Sequence, residues 1–373
     1  MPEVPPLRAQ VLAALPDATV LGRAPGRVNL IGEHTDYNGF PVLPFAIDRA
    51  IWCAAARRDH EMLVVRNLDS ARFPSETVAL TTLGQRPCSR SWVDYVVAAA
   101  RIRPPATGVE LVIGGDVPID AGLSSSSALL NATLMALAEP GDRNALAEEA
   151  RVAERYVGTN SGGMDQAISL LGETDHALRI DFFPLRVKKV ALPAALAVVV
   201  CDSGVSAPKG GAAQEAYNQR VAECTRAAEA LGAPPGSRLS QVPGSLEERS
   251  ARALRLEDRL LRRRAHFVFE EARRVDLAEE AIDDGDLLTL GKLLDASHRG
   301  LRDEYEVSHP AVDALVTKAK AAGAFGARIV GAGFGGCMIA ITTRDRAGDL
   351  VTALGKGARL VVAAAGASRE LLA

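Results

Sequence analysis

The 373-residue chain lacks the features that mark several classes of protein. Its five cysteines, Cys53, Cys88, Cys201, Cys224 and Cys337, are far apart and have no short paired spacing. That usage argues against a disulfide framework or a zinc site and fits reduced thiols, most of them small buried hydrophobes. No basic footprint exists either: the net charge is only -3, with Lys and Arg spread along the chain. Nucleic acid and anionic membrane surfaces are therefore not expected partners. No apolar run approaches membrane-spanning length, and Met1 to Val20 carries four prolines and two acids without a basic segment leading into an apolar one. The expectation is a cytosolic protein without membrane contact. Repeats of fixed period, low-complexity tracts and the Gly-x4-Gly-Lys-Ser/Thr phosphate loop are also missing.

What is present is ordinary globular composition, 48% hydrophobic and 24% charged, in a chain long enough for two domains. Strand-like runs at Ala18 to Ala24, Val42 to Ile47, Ala50 to Arg57, Met62 to Leu68 and Val109 to Gly114 precede helical periodicity at Ser91 to Arg101, Ser125 to Ala138 and Arg143 to Tyr156. Two buried strands, His176 to Phe183 and Ala194 to Cys201, lead into helical segments at Ala213 to Leu231, Leu246 to Asp284, Leu287 to Tyr305 and His309 to Ala322, the first two separated by a Pro/Gly/Ser-rich loop at Gly232 to Gly244. The end returns to strands at Gly326 to Val330, Cys337 to Thr343 and Arg359 to Ala365, with a short helix at Arg346 to Leu354. These patterns predict a two-domain α+β protein, divided as 1–195 and 196–373, with a cleft between the halves as the ligand site.

Four segments carry chemistry. Gly26 to Asn38 packs Arg27, Glu33, His34, Asp36 and Tyr37 into eleven positions next to a strand-like run. Half-buried charges need partners, so such a density marks a lined site in preference to a core. Pro118 to Ala128 is a small-residue loop that runs through Gly122, Leu123, Ser124, Ser125, Ser126 and Ser127 into an amphipathic helix. Free backbone N–H groups at a helix start, backed by its dipole and by hydroxyls, suit a phosphate. One N-cap needs one serine, not four. Gly162-Gly163-Met164-Asp165 sets a carboxylate at the start of a helix-like segment. Gly331 to Gly336 matches Gly-x-Gly-x-x-Gly, but the following Cys337 to Thr343 reads as a strand where a dinucleotide motif requires a helix. That turn suits close backbone approach to a neighbouring loop or a ligand.

Together with Ser297 to Ser308, these ordered segments resemble the galactokinase branch of the GHMP kinases across essentially the whole chain. The resemblance implies an N-terminal domain of the ribosomal-S5 type, a ferredoxin-like C-terminal domain, and ATP with Mg2+ in the cleft between them. It implies a sugar-1-kinase in which Asp165 takes the proton of the anomeric hydroxyl and Arg27 supports that carboxylate and the moving phosphoryl group. Glu33, His34, Asp36, Gly163 and Tyr217 would bind the sugar. Gly122 to Ser126 and Trp92 would bind the nucleotide, with Ser126 and Glu154 on magnesium and a monomer or weak homodimer as the working form. Glu154 lies one position nearer Asp165 than is usual in galactokinases. Asp120 stands where the family usually has glycine, and is expected to point away, cap a neighbour or approach magnesium, because a carboxylate about 4 Å from a phosphate costs about 4 kcal/mol at an effective dielectric of about 20. Arg155 to Thr159 and Gly162 to Asp165 look closer to N-acetylgalactosamine kinases, whereas Tyr217 looks like the galactokinase residue, and galactose is the expected substrate. Some relatives are sugar sensors without turnover and lose residues just after the serine run; here Ser124 to Ala128 is uninterrupted.

Overall fold

The computed structural model describes residues 6–119, 121–139, 141–206 and 212–372. Asp120, whose direction the sequence raised as a question, lies outside the described residues.

Helix α1 (Leu7–Ala14) leads into strands β1 (Val20–Asn29), β2 (Pro44–Arg58), β3 (Met62–Asn67), β4 (Glu76–Ala79) and, after α2 (Val93–Ile102), β5 (Gly108–Gly115). Helices α3 (Ser125–Leu137), α4 (Arg143–Ala153) and α5 (Met164–Leu171) follow, then the hairpin β6 (His176–Asp181) and β7 (Arg186–Ala191). The second half begins with β8 (Leu196–Asp202). It continues through α6 (Ala212–Ala230), α7 (Leu246–Ala253), α8 (Arg259–Asp283), α9 (Leu287–Asp303) and α10 (Pro310–Ala321). It closes with β9 (Gly326–Ile329), β10 (Cys337–Thr343), α11 (Ala347–Leu354), β11 (Ala358–Val361) and β12 (Ser368–Leu371).

The first sheet has the order β12-β1-β2-β5-β3-β4, and the second, fully antiparallel, has β11-β8-β10-β9. The second sheet with helices against it fits the ferredoxin-like expectation. β1 is buried along almost its whole length, with α3 packed against it, which is why its sequence shows no apolar–polar alternation. The sequence split β2 in two at Asp48-Arg49. The strand runs straight through, with Asp48 exposed and Arg49 paired to Asp116 at 2.8 Å. We propose the division 1–195 and 196–373 with one amendment: β12 crosses back to pair antiparallel with β1. Residues Val275, Leu290, Leu294, Val330 and Ile339 from the second half share one buried cluster with Val28, Leu30 and Phe45 of the first. Tyr37 and Phe40 in turn belong to the second core. The halves are thus joined by packed apolar surface beneath the cleft.

Candidate active site

A β-bulge sits between Pro25 and Arg27, where the register of β1 against β2 shifts. Bulges re-aim side chains, and this one turns Arg27 out of the sheet toward the start of α5. The guanidinium makes two contacts with Oδ1 of Asp165, through Nε at 2.7 Å and Nη2 at 2.6 Å, and also donates to the carbonyl of Gly122. Both side chains are largely buried, with Arg27 3% and Asp165 12% exposed. A buried charge requires such a partner. Asp165 Oδ2 accepts from the Ser124 hydroxyl. The pair foreseen from the sequence therefore exists, although its members are far apart in the chain.

Ser124 is the N-cap of α3, but in a left-handed conformation (φ 61°) and with no side-chain bond to the first turn. Its hydroxyl serves Asp165 instead, so the first N–H groups of α3 keep their capacity for an anion. They open onto a cavity of about 640 Å³ lined by Gly122, Leu123, Ser124, Ser125 and Ser126 at one end and by Phe73 and Trp92 at the other. Such a volume suits a nucleotide-sized ligand. Trp92 packs edge-on against Phe73 and donates its indole N–H to the Pro74 carbonyl at 3.1 Å. The Gly-rich turn between β9 and β10 approaches this loop backbone to backbone. A Cβ at Gly122 would stand 2.9 Å from the Val330 carbonyl oxygen, and one at Gly331 3.0 Å from that of Gly122. Positive φ at both residues, 74° and 84°, adds a second reason for glycine there.

A smaller pocket adjoins the cavity, and Arg27, Gln214, Ala332 and Gly333 line both. The small pocket is lined by Glu33, His34, Asp36, Asp165 and Tyr217. Glu33 Oε1 accepts from Gly331 N–H at 2.8 Å and from Arg328 at 3.2 Å. Asp36 Oδ2 accepts from Gly162 N–H at 3.1 Å, and a Cβ at Gly162 would overlap the backbone of Asp36 and Tyr37. Burial pushes the Asp36 carboxyl up to about 6, helped by the nearby Asp165 and Glu33 charges. Burial also lowers His34 to about 3, with the Arg220 charge acting in the same direction, so the imidazole is neutral at physiological pH. His34 Nε2 is buried without a hydrogen-bond partner. Gly163 does not line the pocket. It opens the turn before α5 at φ 112°, with the side chain of Arg151 where its own would be.

Ser126 Oγ is buried and unpartnered on the phosphate side. Glu154 is buried behind it, accepting from Ser127 at 2.9 Å and Ser161 at 2.8 Å. Among the described residues no group of three or more His, Cys, Asp or Glu side chains could hold a metal by itself. That donor set fits magnesium, which takes few protein oxygens and brings phosphate and water ligands of its own.

Two residues that hold the site escaped the sequence reading. Arg328 on β9 is fully buried and donates to the carbonyls of Asn29 (2.6 Å) and Leu30 (2.7 Å) as well as to Glu33. Glu271 on α8 accepts from Gly32 N–H at 3.0 Å and from the Ser297 hydroxyl at 2.7 Å. A lone arginine inside the apolar run Ala327-Arg328-Ile329-Val330 was the available signal, since a charge there must have a dedicated partner.

Comparison with known proteins agrees with this geometry. The family description "Galactokinase galactose-binding signature" matches residues 13–57, "GHMP kinases N terminal domain" residues 93–173 and "GHMP kinases C terminal" residues 278–359. A galactokinase of a Roseiflexus species is 42% identical over 87% of this chain and 84% of its own length. That of Chloroflexus aurantiacus is 39% identical over 91% and 88%. The crystal structure of Lactococcus lactis galactokinase complexed with galactose superposes with a TM-score of 0.86 at 30% identity, covering 98% of each chain. Methanococcus jannaschii mevalonate kinase shares the fold, with a TM-score of 0.67 at 19% identity. With galactokinases 39 to 42% identical over most of its length and the galactose-binding signature over the segment that carries Arg27, Glu33, His34 and Asp36, the chain belongs to the galactokinase family of the GHMP kinases.

Proposed function

We propose that the protein transfers the γ-phosphoryl group of ATP to the anomeric hydroxyl of D-galactose, giving galactose 1-phosphate and ADP. One observation carries this reading: Arg27 lines both the large cavity and the small pocket while its guanidinium holds Asp165. A sugar in the small pocket and a triphosphate along the serine loop would meet at that pair. Phosphoryl transfer asks for alignment of donor and acceptor and for neutralisation of charge on the moving group. Asp165 accepts the hydroxyl proton, Arg27 faces the developing charge, and the N–H groups at the start of α3 hold the phosphates. Ser126 and Glu154 would hold a magnesium ion, which when bound supplies charge neutralisation on the phosphate oxygens. Glu33, Asp36, His34 and Tyr217 orient the sugar, and a pocket that hydrogen-bonds particular hydroxyls rejects epimers strongly.

The test is steady ADP release from purified protein with ATP and magnesium. Release is expected only with sugar, and galactose is expected to be favoured over N-acetylgalactosamine by more than about tenfold in kcat/KM. A reversed preference would assign the enzyme to the acetamido sugar, and binding of both ligands without turnover would make it a sensor.

Two further results are expected. The galactose KM rises as pH falls through about 6, because protonated Asp36 is no longer a charged acceptor for a sugar hydroxyl, and Asp36→Asn removes that inflection. Stability moves the other way. A carboxyl raised above its unfolded value of about 3.9 opposes folding when ionised, and this cost fades as pH drops from about 6 toward 4. Secondly, Glu154→Gln is expected to raise the magnesium concentration for half-maximal rate by about tenfold to a hundredfold. An unchanged magnesium requirement would remove Glu154 from the metal site.

A further inference from the structure

The galactose reading uses only the last member, His34, of a file of four buried groups that runs back from the small pocket. Cys224 Sγ lies 3.1 Å from Tyr305 Oη, Tyr305 Oη 2.7 Å from Tyr37 Oη, and Tyr37 Oη 3.0 Å from His34 Nδ1. All four residues are buried, and the rings of Tyr37 and Tyr305 pack on the His34 ring with centroids 5.8 and 4.8 Å away. Cys224 comes from α6 and Tyr305 from the turn after α9, whereas Tyr37 and His34 come from the signature segment, so the file joins the two halves of the molecule. It ends at His34 Nε2, which has no partner.

A neutral imidazole has one donor and one acceptor, and each phenol has a single proton to give. With each buried phenol giving its proton within the file, the file runs in one of two directions. Either the thiol donates to Tyr305, Tyr305 to Tyr37 and Tyr37 to Nδ1, leaving a proton on Nε2, or every bond is reversed and Nε2 is bare. Two observations select the first direction. The Asn38 amide, which donates to the His34 carbonyl at 2.8 Å, also reaches the Cys224 sulfur, so the sulfur accepts there and its own proton is left for Tyr305. The small pocket is otherwise rich in acceptors, with the Glu33, Asp36 and Asp165 carboxyl groups on its wall. A sugar hydroxyl both donates and accepts. Beside those carboxylates it gives away its proton and needs a donor for its oxygen.

We propose that Tyr37 and Tyr305 are positioning residues that fix the tautomer of His34, so that the imidazole presents Nε2–H to a sugar hydroxyl. The tautomer half of this inference concerns the free protein alone, and the substrate half rests on the sugar reading of the small pocket. The relay makes hydroxyl recognition depend on a residue of the opposite half, Tyr305, that does not line the pocket.

The test uses the intact protein carrying isotopically labelled histidine, without ligand. Long-range proton–nitrogen correlation spectra are recorded, with His34 identified by the signals lost in His34→Gln. A pyridine-like Nδ1 and a pyrrole-like Nε2 are expected. Tyr37→Phe is expected to mix the tautomers and to raise the galactose KM about tenfold with kcat within about twofold, the scale of one hydrogen bond. Tyr305→Phe, which leaves the Tyr37 hydroxyl in place, should shift both readouts less. In a panel of monodeoxy galactoses, the analogue lacking the hydroxyl that meets His34 should bind Tyr37→Phe and the parent enzyme equally. A pyrrole-like Nδ1 in the unsubstituted protein, or a Tyr37→Phe spectrum identical to it, overturns the relay. A protein that keeps the pyridine-like Nδ1 but does not act on galactose upholds the relay and refutes the substrate reading alone.

Discussion

Asp165→Asn is expected to lower kcat by about 10² to 10⁴ while changing the galactose KM by no more than about threefold. The substitution keeps the shape of the side chain. An amide oxygen can still accept from Arg27, and the amide nitrogen can turn to the Ser124 oxygen, so the geometry around the start of α5 survives. What is lost is a negative acceptor for the hydroxyl proton. At one tenfold step per about 1.4 kcal/mol, the loss amounts to about 3 to 5 kcal/mol of transition-state stabilisation. Coupled measurement of ADP release, with galactose binding followed separately by calorimetry, checks both numbers. Retention of more than about a tenth of the parent kcat would leave Asp165 as a counter-ion to Arg27 and shift the burden of catalysis to positioning alone.

Arg328→Met is expected to destabilise the protein by about 3 to 5 kcal/mol, the usual consequence of stripping one partner from a buried ion pair. The guanidinium is fully buried, and its loss would leave the carbonyls of Asn29 and Leu30 and one bond of Glu33 without a donor. Urea unfolding measures the loss from the midpoint and slope, once coincident fluorescence and circular-dichroism transitions show that both halves unfold together. Glu33→Met in the same chain removes the stranded carboxylate. The double variant is therefore expected to recover about 1 to 3 kcal/mol relative to the sum of the singles. Simple additivity would mean that Arg328 acts through the β1 carbonyls and not through Glu33.

The sequence carried the site further than the fold around it. Arg27, Glu33, His34 and Asp36 stand out in the sequence as dense charge beside an apolar strand and the serine loop as more hydroxyls than one cap needs, whereas Asp165, which reads equally as a helix-dipole partner, is singled out by the family resemblance. Residues whose role is to accept or donate across the domain junction were not legible. Glu271 sits in a helix crowded with charges, and only the fold shows that it is fully buried against Gly32 N–H. Among strands, β7 escaped because Arg186-Val187-Lys188-Lys189 is exposed and solvated, and its pairing with β6 replaces an apolar pattern as the organising force. β12 escaped for the same reason. Ser368 to Leu371 is a polar edge segment held by its ladder to β1 and by flanking pairs, Arg369 with Glu139 and Glu370 with Arg8. β2 was cut short in the reading because Asp48 and Arg49 look like a loop, although one of them points to solvent and the other to Asp116.

The return of β12 to β1 also bears on synthesis. Translation delivers β1 among the first segments and β12 among the last of this sequence, at about 5 to 20 residues per second. Throughout that interval the nascent first sheet has an open flank where β12 will dock, a site at which a second nascent chain could pair instead. Expression of this enzyme should accordingly be more sensitive to crowded polysomes, and to the supply of ribosome-associated chaperones, than its apolar core would indicate.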